Sequence, residues 1–435
     1  MILTMHRGAH QIGGSCVELA AAAGERILLD IGMPLTRPDG RDWPCGMLAR
    51  PSATLRREGV LPDIAGLYRG ETPRFAAVIL SHAHLDHYGL SHHVHPDIPV
   101  YGSPGTLAML RASQLFVPDA VLPSDLRELP DEGVLTIGPF AVNGIPVDHV
   151  APDSRALLVE SDGRRLLYSG DLRAHGRRPE LFDALPAAAG KVDVLVLEGT
   201  TVGQPCGSHG FANEIEVERR LAELLKKERG LVVVLASGQN IDRAVSVYRA
   251  ARSAGRELVI DAYQAYVLMT LKEIRPDAPQ FDSPGVRVKF VDYHVKKLKA
   301  AGLWGLACEM SRAAKVKTEQ MSAEPGRFVY LARASGSTTL LLRALERSGL
   351  PKIVWSQWKG YLERGGAVPR FCEERGIGVE VIHSGGHAHP EDLVEMVRMI
   401  QPKLIVPIHT EAGSSFGDLF QNVEIVGDGE SLAIA

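Results

Sequence analysis

The stretch Ser81–His87 reads Ser-His-Ala-His-Leu-Asp-His and directly follows an apolar, strand-like run, Ala76–Leu80. Four ligand-type side chains fall within six positions of it: His82, His84, Asp86 and His87. Imidazole and carboxylate are ligands that zinc and manganese prefer. Alternate side chains of an extended backbone point the same way, so the first two histidines can face one ion while the aspartate and the last histidine turn towards a second. The stretch therefore predicts a loop that holds two metal ions, with a polar surface loop as the alternative.

Three later positions supply the additional ligands that two metal ions need beyond those of this loop. Asp148-His149 and Ser169-Gly170-Asp171 each stand at the end of a predicted strand, and His409 follows the predicted strand Leu404–Ile408. Taken alone, each is typical of a solvated loop. Together with the loop they offer further imidazoles and a carboxylate that can bridge two cations. The combined prediction assigns His82, His84 and His149 to one ion and Asp86, His87 and His409 to the other, with Asp171 between them.

The composition limits the class of protein. The chain has 435 residues, of which 45% are hydrophobic and 23% charged, and is long enough for two globular domains. Its net charge of −4 excludes a protein that coats nucleic acid nonspecifically. Five scattered cysteines indicate a reducing compartment. We find neither a leader-like N-terminus nor an apolar run near the roughly 18 residues of a membrane span. We therefore expect a cytoplasmic protein without membrane contact.

Apolar, strand-like runs alternate with amphipathic segments along most of the chain, which indicates an α/β fold. Ligand-type residues in motif spacing crowd both ends of the sequence, whereas the middle is a run of strand–helix pairs without them. We therefore predict a core made of residues 1–205 and 376–435, with residues 206–375 inserted as a second domain.

The order of the ligand-type residues resembles the metallo-β-lactamase fold. The pattern His-x-His-x-Asp-His, a distant histidine, Gly-Asp and a late histidine covers the first 200 residues and the last 60. The resemblance implies an αββα sandwich, in which two mixed sheets carry helices outside. It also assigns Asp30, in Asp30-Ile31-Gly32, to supporting the metal loop without binding metal.

Three residues narrow the resemblance to the β-CASP nucleases. Glu198, in Val-Leu-Glu-Gly-Thr-Thr, is similar to their motif A, His387, in Ser-Gly-Gly-His-Ala-His, to motif B, and His409 to motif C. The inserted domain is then the α/β β-CASP cap. A histidine at motif C, and an opening segment Gly8–Leu19 similar to that of RNA-cleaving members such as ribonuclease J and the polyadenylation endonuclease, imply an RNA substrate.

The expected activity is a metal-dependent ribonuclease that uses a two-metal hydroxide mechanism and leaves 5′-phosphate and 3′-hydroxyl ends, with 5′ to 3′ exonuclease action favoured over endonuclease action. Two Zn²⁺ ions are the expected cofactors, and Mn²⁺ is the alternative. Asp86, Glu198 and His387 are the expected catalytic residues, with His387 donating a proton to the leaving oxygen and Glu198 orienting it. A homodimer is compatible with the sequence. Alternatives are a β-CASP nuclease acting on DNA, a thioesterase or lactonase, and a non-catalytic RNA-binding protein.

Weaker signals come from the middle of the chain. Arg333, Ser335 and Ser337 lie at a predicted strand-to-helix turn, and Arg243 follows a similar turn; both turns suit phosphate binding or helix capping. The window 286–320 holds eight basic and three acidic residues. Such a run is typical of a solvated face, with a track for an RNA backbone as the functional alternative.

Overall fold

The computed structural model describes residues 1–434 apart from positions 38, 42, 45, 118–119, 206–209 and 347–348. The chain divides into two compact units, one made of Met1–Ala174, Arg178–Pro205 and Gly386–Ala435, the other of His175–Arg177 and Cys206–Gly385. The second unit ends at Gly385, against a predicted 375, because a strand at 379–381 still pairs within its sheet. The predicted start at 206 lies outside the described residues.

The first unit contains a seven-stranded mixed sheet. Its order is β19-β1-β2-β3-β4-β5-β6, numbered along the chain. Pairing is antiparallel from β19 to β3 and parallel from β3 to β6. The strands are β1 (Ile2–Arg7), β2 (Cys16–Ala20), β3 (Arg26–Leu29), β4 (Ala77–Ile79), β5 (Val100–Gly102), β6 (Leu126–Glu128) and β19 (Glu430–Ala433).

A second mixed sheet of the same unit has six strands in the order β18-β11-β10-β9-β8-β7. β18, β11 and β10 run parallel, and the remaining pairs are antiparallel. Its strands are β7 (Leu135–Ile137), β8 (Phe140–Pro146), β9 (Arg155–Ser161), β10 (Arg164–Tyr168), β11 (Val194–Glu198) and β18 (Leu404–Ile408).

The two sheets pack face to face over one apolar core. Buried residues of the first sheet, such as Leu3, Val17 and Ile79, form a single cluster with Val159 and Val406 of the second. The described residues of this unit include the helices α1 (Ser52–Arg57), α2 (Leu85–Tyr88), α3 (Pro104–Phe116), α4 (Pro179–Ala189), α14 (Pro390–Ile400) and α15 (Phe416–Leu419). The apolar faces of α4 and α14 cover the other face of the second sheet. Helix α3 contacts β5 and β6 of the first sheet, so helices lie against both sheets, which confirms the predicted αββα sandwich.

The second unit is built on a parallel six-stranded sheet of order β14-β13-β15-β12-β16-β17. The strands are β12 (Val232–Leu235), β13 (Glu257–Asp261), β14 (Val286–Lys289), β15 (Phe328–Ala332), β16 (Lys352–Trp355) and β17 (Val379–Val381). The helices are α5 (Glu214–Lys227), α6 (Ile241–Ser253), α7 (Ala262–Thr270), α8 (Asp292–Ala300), α9 (Trp304–Ala314), α10 (Thr318–Ala323), α11 (Gly336–Leu345), α12 (Lys359–Glu363) and α13 (Ala367–Glu374). The central strands are buried, as their continuous apolar sequences require.

Sequence patterning located part of the strands: the predicted strand Ala76–Leu80 contains the three-residue β4, whereas the longer strands β1 and β9 were not predicted. The predicted strand Leu404–Ile408 has the observed bounds. The segment between β3 and β4 contains the short helix α1. Within the described part of the chain, no helix is both long and apolar enough to cross a membrane.

Candidate metal centre

The metal loop follows β4 and is held by the residues after β3. Asp30 is fully buried at φ +57° and accepts hydrogen bonds from Ser81 N, Ser81 Oγ, His87 Nδ1 and Tyr168 Oη, each at 2.7 Å. A β-carbon on Gly32 would lie 1.7 Å from Asp86 O, so only glycine allows this close approach of the two segments. Asp30 thus holds the loop through Ser81 and His87, while the supporting role that the resemblance implies for it stays a prediction.

Asp171 lies at the centre of the predicted ligand set. Its Oδ2 is 3.2 Å from His87 Nε2, 3.6 Å from His82 Nε2 and 3.8 Å from His149 Nε2, and its Oδ1 is 3.8 Å from His409 Nδ1. The residue follows β10, and its side chain is 1% exposed. Asp171 thus lies within 3.8 Å of imidazole nitrogens from both predicted groups, and its bridging role stays a prediction.

The other ligand-type atoms form one group on each side of Asp171. On one side, His149 Nε2 is 3.1 Å from His84 Nδ1, and ligand atoms of His82, His84, His149 and Asp171 all lie within 4.8 Å of one another. On the other side, ligand atoms of Asp86, His87 and His409 are equally close, with 3.2 Å between His409 Nε2 and Asp86 Oδ2. The structure thus brings all seven predicted ligands together. A third group overlaps these two, because ligand atoms of Asp171, Glu198, His387 and His409 also lie within 4.8 Å of one another, and the division of the ligands between two ions stays a prediction.

Unsatisfied buried atoms show that these residues suit metal ions. Within the described part of the chain, both carboxylate oxygens of Asp171 and the Nε2 atoms of His82 and His87 are buried without a hydrogen bond. Buried polar atoms are normally satisfied, so atoms that converge in this way need a further partner. Imidazole and carboxylate together fit zinc or manganese.

The electrostatics of the first group agree with metal binding. Burial lowers the pKa of His82 and His149 well below the usual value, and that of His84 to about 4. Burial opposes ionisation of Asp171, but the neighbouring His409 and His87 outweigh it and hold the pKa of this carboxyl well below its usual range. In the first group, neutral imidazoles beside an ionised carboxylate are the protonation states that a metal site requires. In the second group, burial opposes the charged form of His87, but Asp171 and Asp30 outweigh it and raise the pKa of this imidazole well above its usual value.

Glu198 and His387 form a pair beside this cluster. Glu198 ends β11 with a side chain 1% exposed, and both its carboxylate oxygens lie 3.1 Å from His387 Nδ1. His387 Nδ1 is also 3.9 Å from Asp171 Oδ2. Burial opposes its charged form, but the carboxylate of Glu198, followed by that of Asp171, raises the pKa of His387 to about 9. The pair therefore favours a protonated imidazole next to the metal ligands.

Polar residues that the sequence analysis did not assign also support the site. Thr200 Oγ1 donates to Glu198 Oε2 at 2.7 Å and lies 2.8 Å from His409 Nδ1, linking the pair to a ligand. Tyr168 reaches Asp30, and His149 Nδ1 donates to Gly386 O at 2.6 Å. Thr200 stands in the same short motif as Glu198, but nothing local indicates that its hydroxyl faces a histidine 209 positions later.

The residues predicted to contact substrate lie in the second unit. Ser335 Oγ caps α11 by accepting from Thr338 N and lies 2.9 Å from Ser337 Oγ. The guanidinium of Arg333 is over the Tyr263 ring, 4.4 Å from its centroid. Substrate contact by these three residues stays a prediction.

Arg243 has a different environment from the one that the sequence predicted. Its side chain is fully buried, and its guanidinium donates to Glu214 Oε1 at 2.8 Å, Glu214 Oε2 at 3.0 Å and both oxygens of Ser356 at 2.6 Å. Sequence alone did not reveal the buried carboxylate of Glu214 on α5. This geometry makes Arg243 a cross-link within the second unit and leaves no donor arrangement for a substrate phosphate.

Two family models match the chain. One, described as a beta-lactamase superfamily domain, covers residues 51–229, and the other, described as a Zn-dependent metallo-hydrolase RNA specificity domain, covers residues 376–421. The first includes the metal loop, and the second includes His387 and His409. A crystal structure of a protein of unknown function from Enterococcus faecalis V583 has a TM-score of 0.77 at 21% identity and covers 99% of both chains, so the two share a fold.

Among curated proteins, the chain is similar to ribonucleases J from several organisms. The chain is 26% identical over 401 residues to ribonuclease J of Sinorhizobium meliloti, a match that covers 88% of this chain and 67% of that protein. It is 24% identical to ribonuclease J2 of Bacillus subtilis, covering 84% and 64%, and 22% identical to ribonuclease J of Pyrococcus abyssi, covering 94% and 90%. The chain thus spans about two thirds of the length of the first two relatives and 90% of the third.

Proposed function

We propose that this chain, a metallo-β-lactamase-fold protein of the β-CASP type that resembles ribonuclease J, is a metal-dependent ribonuclease. The observation that carries the proposal is the Glu198–His387 pair, which lies against the bridging position of Asp171. Hydrolysis of an ester or thioester by a metal site has no evident use for this pair. Cleavage of a phosphodiester needs a proton for the departing 3′ oxygen, and the pair places a protonated imidazole at the site.

The residues of the site have separate roles in the proposed reaction. Divalent cations bound at the site would lower the pKa of water and neutralise charge on the scissile phosphate. His82, His84 and His149 would hold one cation and Asp86, His87 and His409 the other, with Asp171 between them. Because its Nδ1 faces Glu198, His387 is left with Nε2 to protonate the leaving oxygen. Asp30 holds the ring of His87 in place by accepting a hydrogen bond from its Nδ1 atom.

The finer features of the proposal follow from this arrangement and from the resemblance. Attack of water at phosphorus, with departure of the 3′ oxygen, leaves a 5′ phosphate and a 3′ hydroxyl. We favour two Zn²⁺ ions over Mn²⁺, and action from the 5′ end over internal cleavage. We also expect a cytoplasmic protein that can form a homodimer. These features rest on the similarity to ribonuclease J and on the chemistry of the ligand set.

One experiment tests the activity and its direction. Purified protein is incubated with the same RNA carrying a 5′ monophosphate, a 5′ hydroxyl or a 5′ triphosphate, and with single-stranded DNA and a generic ester. The control is Asp86→Ala/His87→Ala, which removes two ligands from one group. Mononucleotides released only from the monophosphate indicate a 5′ exonuclease, and internal fragments from all three RNAs indicate an endonuclease. Cleavage of DNA or the ester but not RNA, or an unchanged rate in the control variant, would overturn the proposal.

A further inference from the structure

Helices α8 and α9 of the second unit expose a basic and aromatic surface, which we call the lysine–tryptophan surface. Leu298 and His294 on the opposite side of α8 are buried and attach the helix to the unit. The outer residues that define the surface are Tyr293, Lys296, Lys297, Lys299 and Trp304.

Charge in this region is unbalanced. The window 286–320 carries eight basic and three acidic residues, a net charge of +5, in a chain whose total is −4. Arg287 pairs with Glu257 at 2.6 Å. Within the described part of the chain, none of the three lysines of the surface has a carboxylate within 4.0 Å. Unpaired cations on one helix surface of an otherwise acidic protein favour a polyanionic partner.

Two exposed aromatic side chains lie among these cations. Trp304 is 50% exposed and Tyr293 is 40% exposed, although side chains of this size are mostly buried in folded proteins. Lys299 Nζ is 5.8 Å from the centroid of the Trp304 ring, and Lys297 Nζ is 5.5 Å from that of Tyr293. A cation beside an exposed ring can bind a phosphate while the ring stacks on the adjacent base.

We propose that the lysine–tryptophan surface binds single-stranded RNA outside the metal centre, by stacking of bases on Trp304 and Tyr293 and by contacts of the lysines with phosphates. This inference rests on the proposed function, because it takes RNA as the polyanion. It adds a binding surface that retains RNA and has no part in the chemical step. Neither kind of contact distinguishes among bases, so recognition here is independent of sequence.

The test compares binding by two surface variants, Trp304→Ala and Lys296→Ala/Lys299→Ala. Their matched controls are Trp358→Ala, at a tryptophan 49% exposed with a guanidinium 5.3 Å from its ring centroid, and Lys359→Ala, at a lysine paired with Glu363. The probe is a labelled 2′-O-methyl homopolymer of about 30 nucleotides, shown to stay intact on a gel. Fluorescence anisotropy at several salt concentrations gives the affinity and its salt dependence.

We expect Trp304→Ala to weaken binding by roughly 5- to 150-fold, the range for loss of one base–aromatic stack. The double lysine variant should lower the slope of log K against log salt by about 1.4, since each phosphate contact of a single strand contributes about 0.7. Duplex RNA, whose bases are already stacked, should respond to the lysine variant but not to Trp304→Ala. Both control variants should bind as the wild type does.

Other results would overturn the inference and would be distinct from failure of the proposed function. If the wild type cleaves RNA while the surface variants bind the probe normally, the metal centre acts on RNA and the surface does not bind it. Absence of measurable probe binding by the wild type has the same meaning for the surface. If Trp304→Ala changes the sedimentation coefficient from an oligomer to a monomer, the surface is a protein interface. Absence of RNA cleavage with normal probe binding would contradict only the proposed function.

Discussion

Substitution of Asp30 by asparagine should weaken metal binding although Asp30 is not a ligand. A carboxylate only accepts hydrogen bonds, so the 2.7 Å contact with His87 Nδ1 requires the proton on Nδ1 and leaves Nε2 to face Asp171. In Asp30→Asn, an amide that keeps its oxygen towards Ser81 N turns its NH₂ group towards His87. His87 must then accept at Nδ1 and carry its proton on Nε2, the atom that would bind the metal.

The expected loss is roughly 10- to 100-fold in metal affinity, about 1.4–2.8 kcal/mol, which is the usual effect of removing a partner that orients a metal-bound histidine. Competition of the purified protein with a chromophoric chelator for Zn²⁺ measures this affinity. Metal analysis after dialysis gives the stoichiometry. RNA cleavage at saturating Zn²⁺ should recover in part, because mass action compensates for a weaker site.

Tyr168→Phe is the matched control. It removes one hydrogen bond from the same carboxylate oxygen but leaves the carboxylate and the proton on His87 in place. We expect it to lower the free energy of unfolding by about 1 kcal/mol and to leave Zn²⁺ affinity within about twofold of the wild type. Equal Zn²⁺ affinities for Asp30→Asn and the wild type, or equal losses in the two variants, would refute the argument from the His87 proton.

Three further predictions concern the metal cluster, the proton donor and the second unit. Asp171→Ala should lose metal and cleavage together, and a full metal content by mass spectrometry would contradict its bridging position. His387→Ala should keep its metal and cleave RNA roughly 10²–10⁴-fold more slowly. An RNA with a 3′-bridging phosphorothiolate, whose leaving group needs no proton, should restore most of the lost rate. Equal impairment on both substrates would exclude proton donation. Arg243→Met should lower the free energy of unfolding of the second unit in urea by about 3–5 kcal/mol, because it leaves the buried Glu214 without its cation. The double variant Arg243→Met/Glu214→Gln should recover much of this stability. An unchanged free energy of unfolding in the single variant would show that the cross-link is unimportant.

The sequence by itself determined the fold class and named the ligand-type residues that the structure brings together at Asp171. Four of the seven ligands lie in one loop, Ser81–His87, and Asp171 and His409 follow β10 and β18, whose apolar runs are recognisable locally. Ligand chemistry is a property of residue type, and its position at the end of a strand is a property of short-range patterning. The order of the motifs along the chain then supplied the sandwich and the inserted domain.

Only the tertiary structure decided how distant residues share their polar contacts. Arginine at a strand-to-helix turn has two different outcomes: Arg243 forms an internal cross-link, whereas the guanidinium of Arg333 lies over an aromatic ring. The outcome depends on whether another helix brings a carboxylate to the arginine. The hydrogen bonds that Asp30 accepts join three separate segments of the first unit. Likewise, a count of basic residues shows a surplus, but which lysines remain unpaired is set by neighbours that are far away in sequence. Hydrogen bonds and ion pairs depend on distances of a few ångströms between such segments, and chain folding alone fixes those distances.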